Sequence, residues 1–182
     1  MSDLPVRDHA VYYDIIASPL GPILIGGTAA GVWRIDFLDG DSPQQSVAML
    51  EHEAGGAAER DPGAAEHAAS QLREYFAGER TRFDLPLAPA GTDFQRRVWG
   101  ELERIPYGET ATYGEVARAI GKPRAQRAVG LANGRNPIGI VVPCHRVVGA
   151  DGSLTGYGGG LDRKAWLLNL EARPLRPPSQ RA

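Results

Sequence analysis

Cysteine is the scarcest chemically useful residue in this chain: 182 residues contain one, Cys144. A single thiol excludes an intramolecular disulfide and suits a reducing compartment. With only four histidines beside it, the chain has too few Cys and His residues, too widely spaced, for a thiolate zinc site. We therefore expect no metal and no cofactor. Long apolar runs are also missing, and nothing approaches the ~18 residues of a membrane span. The first residues, among them Asp3, Pro5, Arg7, Asp8 and His9, lack the apolar stretch of a secretory signal. The expected location is the cytoplasm, a bacterial cytosol or nucleoid, away from any membrane.

What is present fits an ordinary globular protein, with 42% hydrophobic and 23% charged residues. The net charge of −2 hides an asymmetry. Residues 1–91 carry 6 Lys/Arg against 14 Asp/Glu, a balance of −8, and residues 92–182 carry 14 against 8, a balance of +6. Such a split points to a polyanion as the partner of the second half.

Along the chain, Val11 to Ile16, Ile23 to Ile25 and Val32 to Phe37 read as a three-stranded meander, with Trp33, Ile35 and Phe37 on one face. Ser42-Pro43 opens a weak helix to about Glu53. The Ala- and Gly-rich stretch 54–63 reads as loop. A clearer helix spans Ala64 to Ala77, with Ala65, Ala68, Leu72, Tyr75 and Phe76 as its apolar stripe and Gly78 as its stop. Phe83 to Leu87 suggests a short strand. Pro86, Pro89, Ala90 and Gly91 form a linker where the charge changes sign. This places an N-terminal domain at 1–91, a second at 92–172 and a disordered tail at 173–182.

The second half is helical first. Thr92 or Asp93 caps a helix bearing Phe94, Val98, Leu102 and Ile105 on one face. Thr112-Tyr113-Gly114-Glu115 is a capping box that opens a helix with Val116, Ala117 and Ile120 inward. Gly121 ends it, and a third helix runs from Ala125 to Ala132. Two short helices joined through a glycine turn make a helix-turn-helix, whose second helix faces nucleic acid. Base readout needs long polar side chains, yet this helix offers Ala125, Ala128, Val129, Gly130, Leu131 and Ala132. A smooth helix suits close approach to a backbone or minor groove, with Arg127 as a wedge where a base leaves the stack. Val147-Val148, the turn 149–152 and Ser153-Leu154 suggest a hairpin wing. A last helix, Asp162 to Glu171, carries Leu161, Ala165 and Leu168 on one face.

The chain is organised around Ile138-Gly139-Ile140-Val141-Val142-Pro143-Cys144-His145. The apolar run reads as a buried strand that Pro143 ends, holding Cys144 at a rigid exit. A thiol becomes a nucleophile when its pKa is lowered, and His145 is the nearest group to do so. On this stretch alone the packing role is the better reading, because neighbours on an extended chain point apart.

The surrounding motifs decide otherwise. Pro143-Cys144-His145-Arg146-Val147 resembles the active-site motif of the O6-alkylguanine-DNA alkyltransferases. Phe94 to Trp99, Ile105 to Thr110, Tyr113-Gly114, Arg127 to Gly130, Asn136-Pro137 and Tyr157 to Gly160 extend the resemblance. It is strong over 92–171 and loose over 10–90.

The resemblance implies an α+β protein. A small ribonuclease H-like N-terminal domain would be followed by a mainly helical, winged helix-turn-helix-like domain. It implies single-turnover transfer of an alkyl group from O6-alkylguanine, and from O4-alkylthymine, in flipped-out form to Cys144. His145 would take the thiol proton through a water, Glu171 would orient His145, and Asn136 would hold the turn beside the site. Tyr113 would contact the flipped nucleotide. Ala125, Gln126, Arg127, Ala128, Gly130 and Asn133 would meet DNA. Pro143, Val147, Tyr157, Gly158 and Gly159 would line the guanine pocket. Gly158 stands where some relatives have a serine, so a contact to the guanine oxygen there would come from a backbone N–H; Asn133 and Gly134 stand where some relatives have bulkier residues, which bears on the size of alkyl group accepted. The implied partner is double-stranded DNA, bound by a monomer without sequence specificity through the minor groove.

Two other readings rank lower. A damage sensor without transfer activity would lack the nucleophile, and Cys144 is present. A cysteine-protease pair leaves the helix-turn-helix and the basic half without a role.

Overall fold

The computed structural model describes residues 10–173 apart from 39 and 41. The expected disordered tail therefore lies, but for Arg173, outside the described residues. The chain divides between Ala90 and Gly91 into two compact units.

In the first unit, β1 (Val11–Ile16), β2 (Ile23–Thr28) and β3 (Gly31–Phe37) form the expected antiparallel meander. A fourth strand, β4 (Ala58–Arg60), lies parallel to β1 and gives the order β3-β2-β1-β4. Sequence reading placed that stretch in a loop, and three residues carry too little alternation to show otherwise. Its pairing is fixed from outside: Asp61 donates its N–H to the Tyr13 carbonyl, and Arg60 Nε meets Asp14 Oδ1 at 3.0 Å.

Helix α1 (Pro43–Ala54) begins at a Ser42–Gln45 capping box. Helix α2 (Pro62–Phe76) is capped by Asp61 and so starts two residues before its expected first turn. It buries Ala65, Ala68, Ala69, Leu72 and Tyr75 and packs on β1 and β2. Val11, Leu24, Trp33, Leu38, Leu50 and Ala54 form a core cluster. Phe83–Leu87 is no strand; Leu87 makes one bridge to Val32. Pro86, without an N–H, can only accept there, from Val32 N at 2.8 Å.

The second unit opens with α3 (Asp93–Leu102), capped by Thr92 through a second capping box with Gln95. Then come β5 (Ala111–Thr112), α4 (Tyr113–Ala119) and α5 (Gln126–Gly134). The Thr112–Glu115 capping box forms as expected. Gly121, at φ 72°, takes the left-handed turn that redirects the chain into α5. Trp99 Nε1 donates to the Ala132 carbonyl at 2.9 Å, locking α3 against α5.

The stretch 138–142 is buried as expected but is not a strand. It folds as tight turns: Val141 N reaches the Gly139 carbonyl at 2.8 Å and Val142 N the Ile138 carbonyl at 3.0 Å. Ile140 adopts a φ of 71°, which a β-branched side chain resists, so neighbouring contacts must hold it there. Cys144–Arg146 form one turn of 3-10 helix, followed by β6 (Val147–Val148).

The hairpin wing is absent as such. Gly149 N bonds the Ser153 carbonyl at 2.9 Å, but β6 pairs in parallel with β5. That pairing sets the start of α4 next to the residues after the cysteine. Helix α6 (Leu161–Glu171) buries Lys164, Leu167, Leu170 and Glu171 instead of the expected Leu161, Ala165 and Leu168 stripe. Leu161 is 48% exposed. Two charged residues occupy the inward face, and apolar counting passes over them. No helix among the described residues is long and apolar enough to cross a membrane.

Candidate active site

Cys144 sits at the start of the 3-10 turn and is 6% exposed. Two asparagines hold it. Asn136, just after α5, donates Nδ2 to the Val142 carbonyl at 2.8 Å and to Cys144 Sγ at 3.2 Å. Its Oδ1 accepts from Ile138 N at 3.0 Å, so one amide ties both ends of the turn to the sulfur. Asn133 Nδ2 lies 3.4 Å from the Cys144 carbonyl. Burial pushes the thiol pKa up; the Asn136 hydrogen bond and the charge of Lys164 oppose it without winning. A thiol acidified by its imidazole neighbour is thus corrected: at rest Cys144 is protonated.

His145 is completely buried and lies 2.8 Å through Nε2 from Glu171 Oε1. The carboxylate only accepts, so Nε2 carries the proton and Nδ1 keeps a lone pair. Nδ1 is buried and makes no hydrogen bond among the described residues. Burial lowers the His145 pKa against the pull of Glu171, and Arg146 and Lys164 lower it further. The imidazole is therefore neutral and available as a base.

Glu171 binds Arg146 and Gly108 as well as His145. Arg146 Nε meets Oε2 and Nη2 meets Oε1, both at 2.9 Å, and Nη1 reaches the Ile105 carbonyl at 2.7 Å. Gly108 N adds a fourth donor at 3.2 Å. Burial alone would raise the Glu171 carboxyl, but the hydrogen bonds and charges of His145 and Arg146 hold it at about 2.

Lys164 is fully buried in α6 and donates Nζ to the Val147 carbonyl at 2.5 Å and the Thr155 carbonyl at 2.6 Å. Tyr113 donates its hydroxyl to the same Thr155 carbonyl at 3.0 Å. Lysine and tyrosine thus brace the loop that leads to Tyr157, whose ring stands edge-on to His145 at 6.5 Å. A side chain on Gly158 would begin 3.6 Å from the Gly134 carbonyl, so this loop runs close to the end of α5.

Sequence reasoning passed over Arg146 and Lys164. A lysine spaced three and seven from Leu167 and Glu171 was the signal for the second. Pro143 and Val147 are buried on either side of the Cys144 turn.

On α5, Gln126, Arg127 and Ala128 are exposed, and Ala125 and Gly130 are half-buried. Asn133, grouped with them in the sequence, faces inward at 2% exposure. Exposed Arg118, Lys122, Arg124 and Arg135 join Arg127 on the two helices and their flanks. Among the described residues no cluster of three or more His, Cys, Asp or Glu side chains could hold a metal ion.

The family sequence described as 6-O-methylguanine DNA methyltransferase, DNA binding domain, matches residues 93–173. Its ribonuclease-like domain matches residues 11–89. The chain belongs to the 6-O-methylguanine DNA methyltransferase family. A methylated-DNA–protein-cysteine methyltransferase of Methanosarcina barkeri is 54% identical over 167 residues, covering 91% of this chain and all of that one. One from Mycobacterium tuberculosis is 52% identical, covering 88% and 92%. The crystal structure of Mycobacterium tuberculosis O6-methylguanine methyltransferase superposes with a TM-score of 0.77 at 51% identity, covering 89% of this chain and 93% of that one. A second, of Mycobacterium tuberculosis OGT in complex with DNA, does so with a TM-score of 0.77 over 88% and 92%. Both matched domains of the methyltransferase family are thus present here in the same order.

Proposed function

We propose that this protein repairs duplex DNA by moving the alkyl group of O6-alkylguanine irreversibly onto its own Cys144. O4-alkylthymine is a second substrate of the same chemistry. Sγ attacks the alkyl carbon; the S–C bond forms as the C–O6 bond breaks, and that electron pair leaves with guanine. The thiol proton passes to His145 Nδ1 through a water; the departing guanine anion takes up a proton from solvent, and His145 returns its own to solvent. Because burial raises the thiol and lowers the imidazole, proton transfer accompanies attack instead of preceding it.

The observation that carries this reading is a pair of contacts on adjacent residues, one on the sulfur and one on the imidazole. Asn136 lies on Sγ, the buried imidazole follows directly in sequence, and Glu171 fixes its tautomer. Exposed cations around the small-residue helix α5 suit phosphate contacts and sequence-independent binding through the minor groove, by a monomer. Arg127 fills the stack left by the flipped base, and Tyr113 meets the flipped nucleotide, which Pro143, Val147, Tyr157, Gly158 and Gly159 enclose. The setting is the cytosol.

Mass spectrometry of the protein after mixing with an oligonucleotide duplex bearing O6-methylguanine tests the reading. One methyl on Cys144, saturating at one per chain, is expected. Continued turnover, or no gain on Cys144, overturns it.

A further inference from the structure

Asn133 is the buried polar group beside the thiol that the transfer chemistry leaves without a task. It is 2% exposed, in the last turn of α5. Its Nδ2 faces the Cys144 carbonyl at 3.4 Å, which fixes the amide orientation, because the reverse would set two acceptors against each other. Oδ1 is thereby left as a buried acceptor that makes no hydrogen bond among the described residues. A buried carbonyl without a donor is unfavourable, and a ligand group that donates to it gains what the resting protein lacks.

The location connects that acceptor to the alkyl group. Asn133 touches the cysteine turn, and the carbonyl of the next residue, Gly134, lies 3.6 Å from where a side chain on Gly158 would begin. Asn133 therefore belongs to the wall shared by the thiol and the glycine loop. An alkyl group longer than methyl, held for attack by Sγ, has atoms to spare that can reach toward that wall. A bare methyl has no donor to offer. A two-carbon chain ending in a hydroxyl does.

We propose that Asn133 is a specificity-determining residue whose buried Oδ1 accepts a hydrogen bond from short hydroxyalkyl groups on guanine O6. The inference rests on the transfer activity proposed above and names the substrate class that this site favours. The chemical step is unchanged: the S–C bond forms to the hydroxyalkyl carbon, the C–O6 pair leaves with guanine, and the thiol proton goes to His145.

The test compares duplex oligonucleotides carrying O6-(2-hydroxyethyl)guanine and O6-(n-propyl)guanine, which are nearly equal in size. Second-order transfer rates are measured for the wild type and for Asn133→Leu. The wild type should transfer hydroxyethyl faster than n-propyl by roughly ten-fold, the worth of one buried hydrogen bond. In Asn133→Leu, similar in volume but without the acceptor, the ratio should fall to about one or invert. Each ratio is taken within one protein, so a general loss of activity cancels. A wild-type ratio of one or less overturns the proposal even if the variant does not fold, and so does an unchanged ratio in Asn133→Leu. Failure of the wild type to transfer methyl from O6-methylguanine would instead overturn the reading on which the proposal rests.

Discussion

Replacing Glu171 with glutamine keeps the shape of the side chain and removes its charge. Four donors converge on the carboxylate: His145 and Arg146 on Oε1, and Arg146 and Gly108 on Oε2. Glutamine offers one oxygen, so its amide NH2 must face one of these pairs. The Arg146 guanidinium and the Gly108 N–H cannot become acceptors; His145 can, by moving its proton from Nε2 to Nδ1. The NH2 therefore turns to His145, and Nδ1 loses the lone pair that would take the thiol proton. Loss of a general base lowers a rate by roughly 10²–10⁴-fold.

Stability changes separately. The Glu171 carboxyl at about 2, against its ordinary 4.5, corresponds to about 3 kcal/mol at neutral pH. Removing one partner of a buried ion pair costs on the order of 3–5 kcal/mol, which agrees. At roughly 2–4 °C per kcal/mol for a chain of this size, Tm falls by about 6–20 °C. A depressed carboxyl stabilises above pH 4.5 and loses that effect as pH falls toward 2. The acid limb of the wild-type unfolding curve should lie there and flatten in Glu171→Gln. Buried His145, with its pKa lowered from 6.5, adds a loss in the same direction, beginning below pH 6.5. The assay is single-turnover transfer from an O6-methylguanine duplex at a temperature where both proteins are folded, beside a melting scan. A rate within about threefold of wild type, with Tm lowered, would refute the tautomer argument and leave Glu171 as a structural partner of Arg146.

Cys144→Ser should abolish transfer and leave duplex affinity within about twofold by fluorescence anisotropy; loss of both would make Cys144 structural. Arg127→Ala should slow transfer from duplex DNA by tenfold or more, yet barely change reaction with a free O6-alkylated base, since extrusion is the step proposed for it. Equal losses on the two substrates would count against that role. Lys164→Met keeps the apolar stem and removes two hydrogen bonds to carbonyls, a loss of about 1–3 kcal/mol in a denaturant titration. The lysine charge opposes the raised thiol pKa, so the iodoacetamide alkylation profile of Cys144 should move to higher pH. A profile that stays put would show that the charge does not reach the sulfur.

Much of the fold was written in local signals. Ser42, Thr92 and Thr112 cap α1, α3 and α4 as expected, and the meander follows from alternation and glycine turns. The apolar run before the cysteine was misread for a physical reason. β-Branched residues favour strands when a neighbouring strand is there to pair with, but here Val141 and Val142 bond back to Gly139 and Ile138, and Asn136 takes the Val142 carbonyl. The wing failed similarly, because Val147-Val148 found its partner some 36 residues back in β5. Of the site, Cys144, His145, Glu171 and Asn136 were legible from the resemblance, and the structure brings them together. Arg146 and Lys164 were not, because their partners are backbone carbonyls and a carboxylate remote in sequence, which no periodicity reveals.

Those two buried cations explain how a single cysteine can be kept for one reaction. Arg146 holds Glu171 ionised while also lowering the basicity of His145, so the imidazole is oriented as a base without being charged at rest. Burial keeps the proton on sulfur, and a thiol reacts with oxidants and stray electrophiles far more slowly than a thiolate. Lys164 adds a positive charge that is of most use once negative charge develops on sulfur during attack. Resting protection and transition-state stabilisation therefore come from the same arrangement, because the field that is too weak to ionise the thiol alone acts fully when an alkyl carbon is there to accept the electron pair.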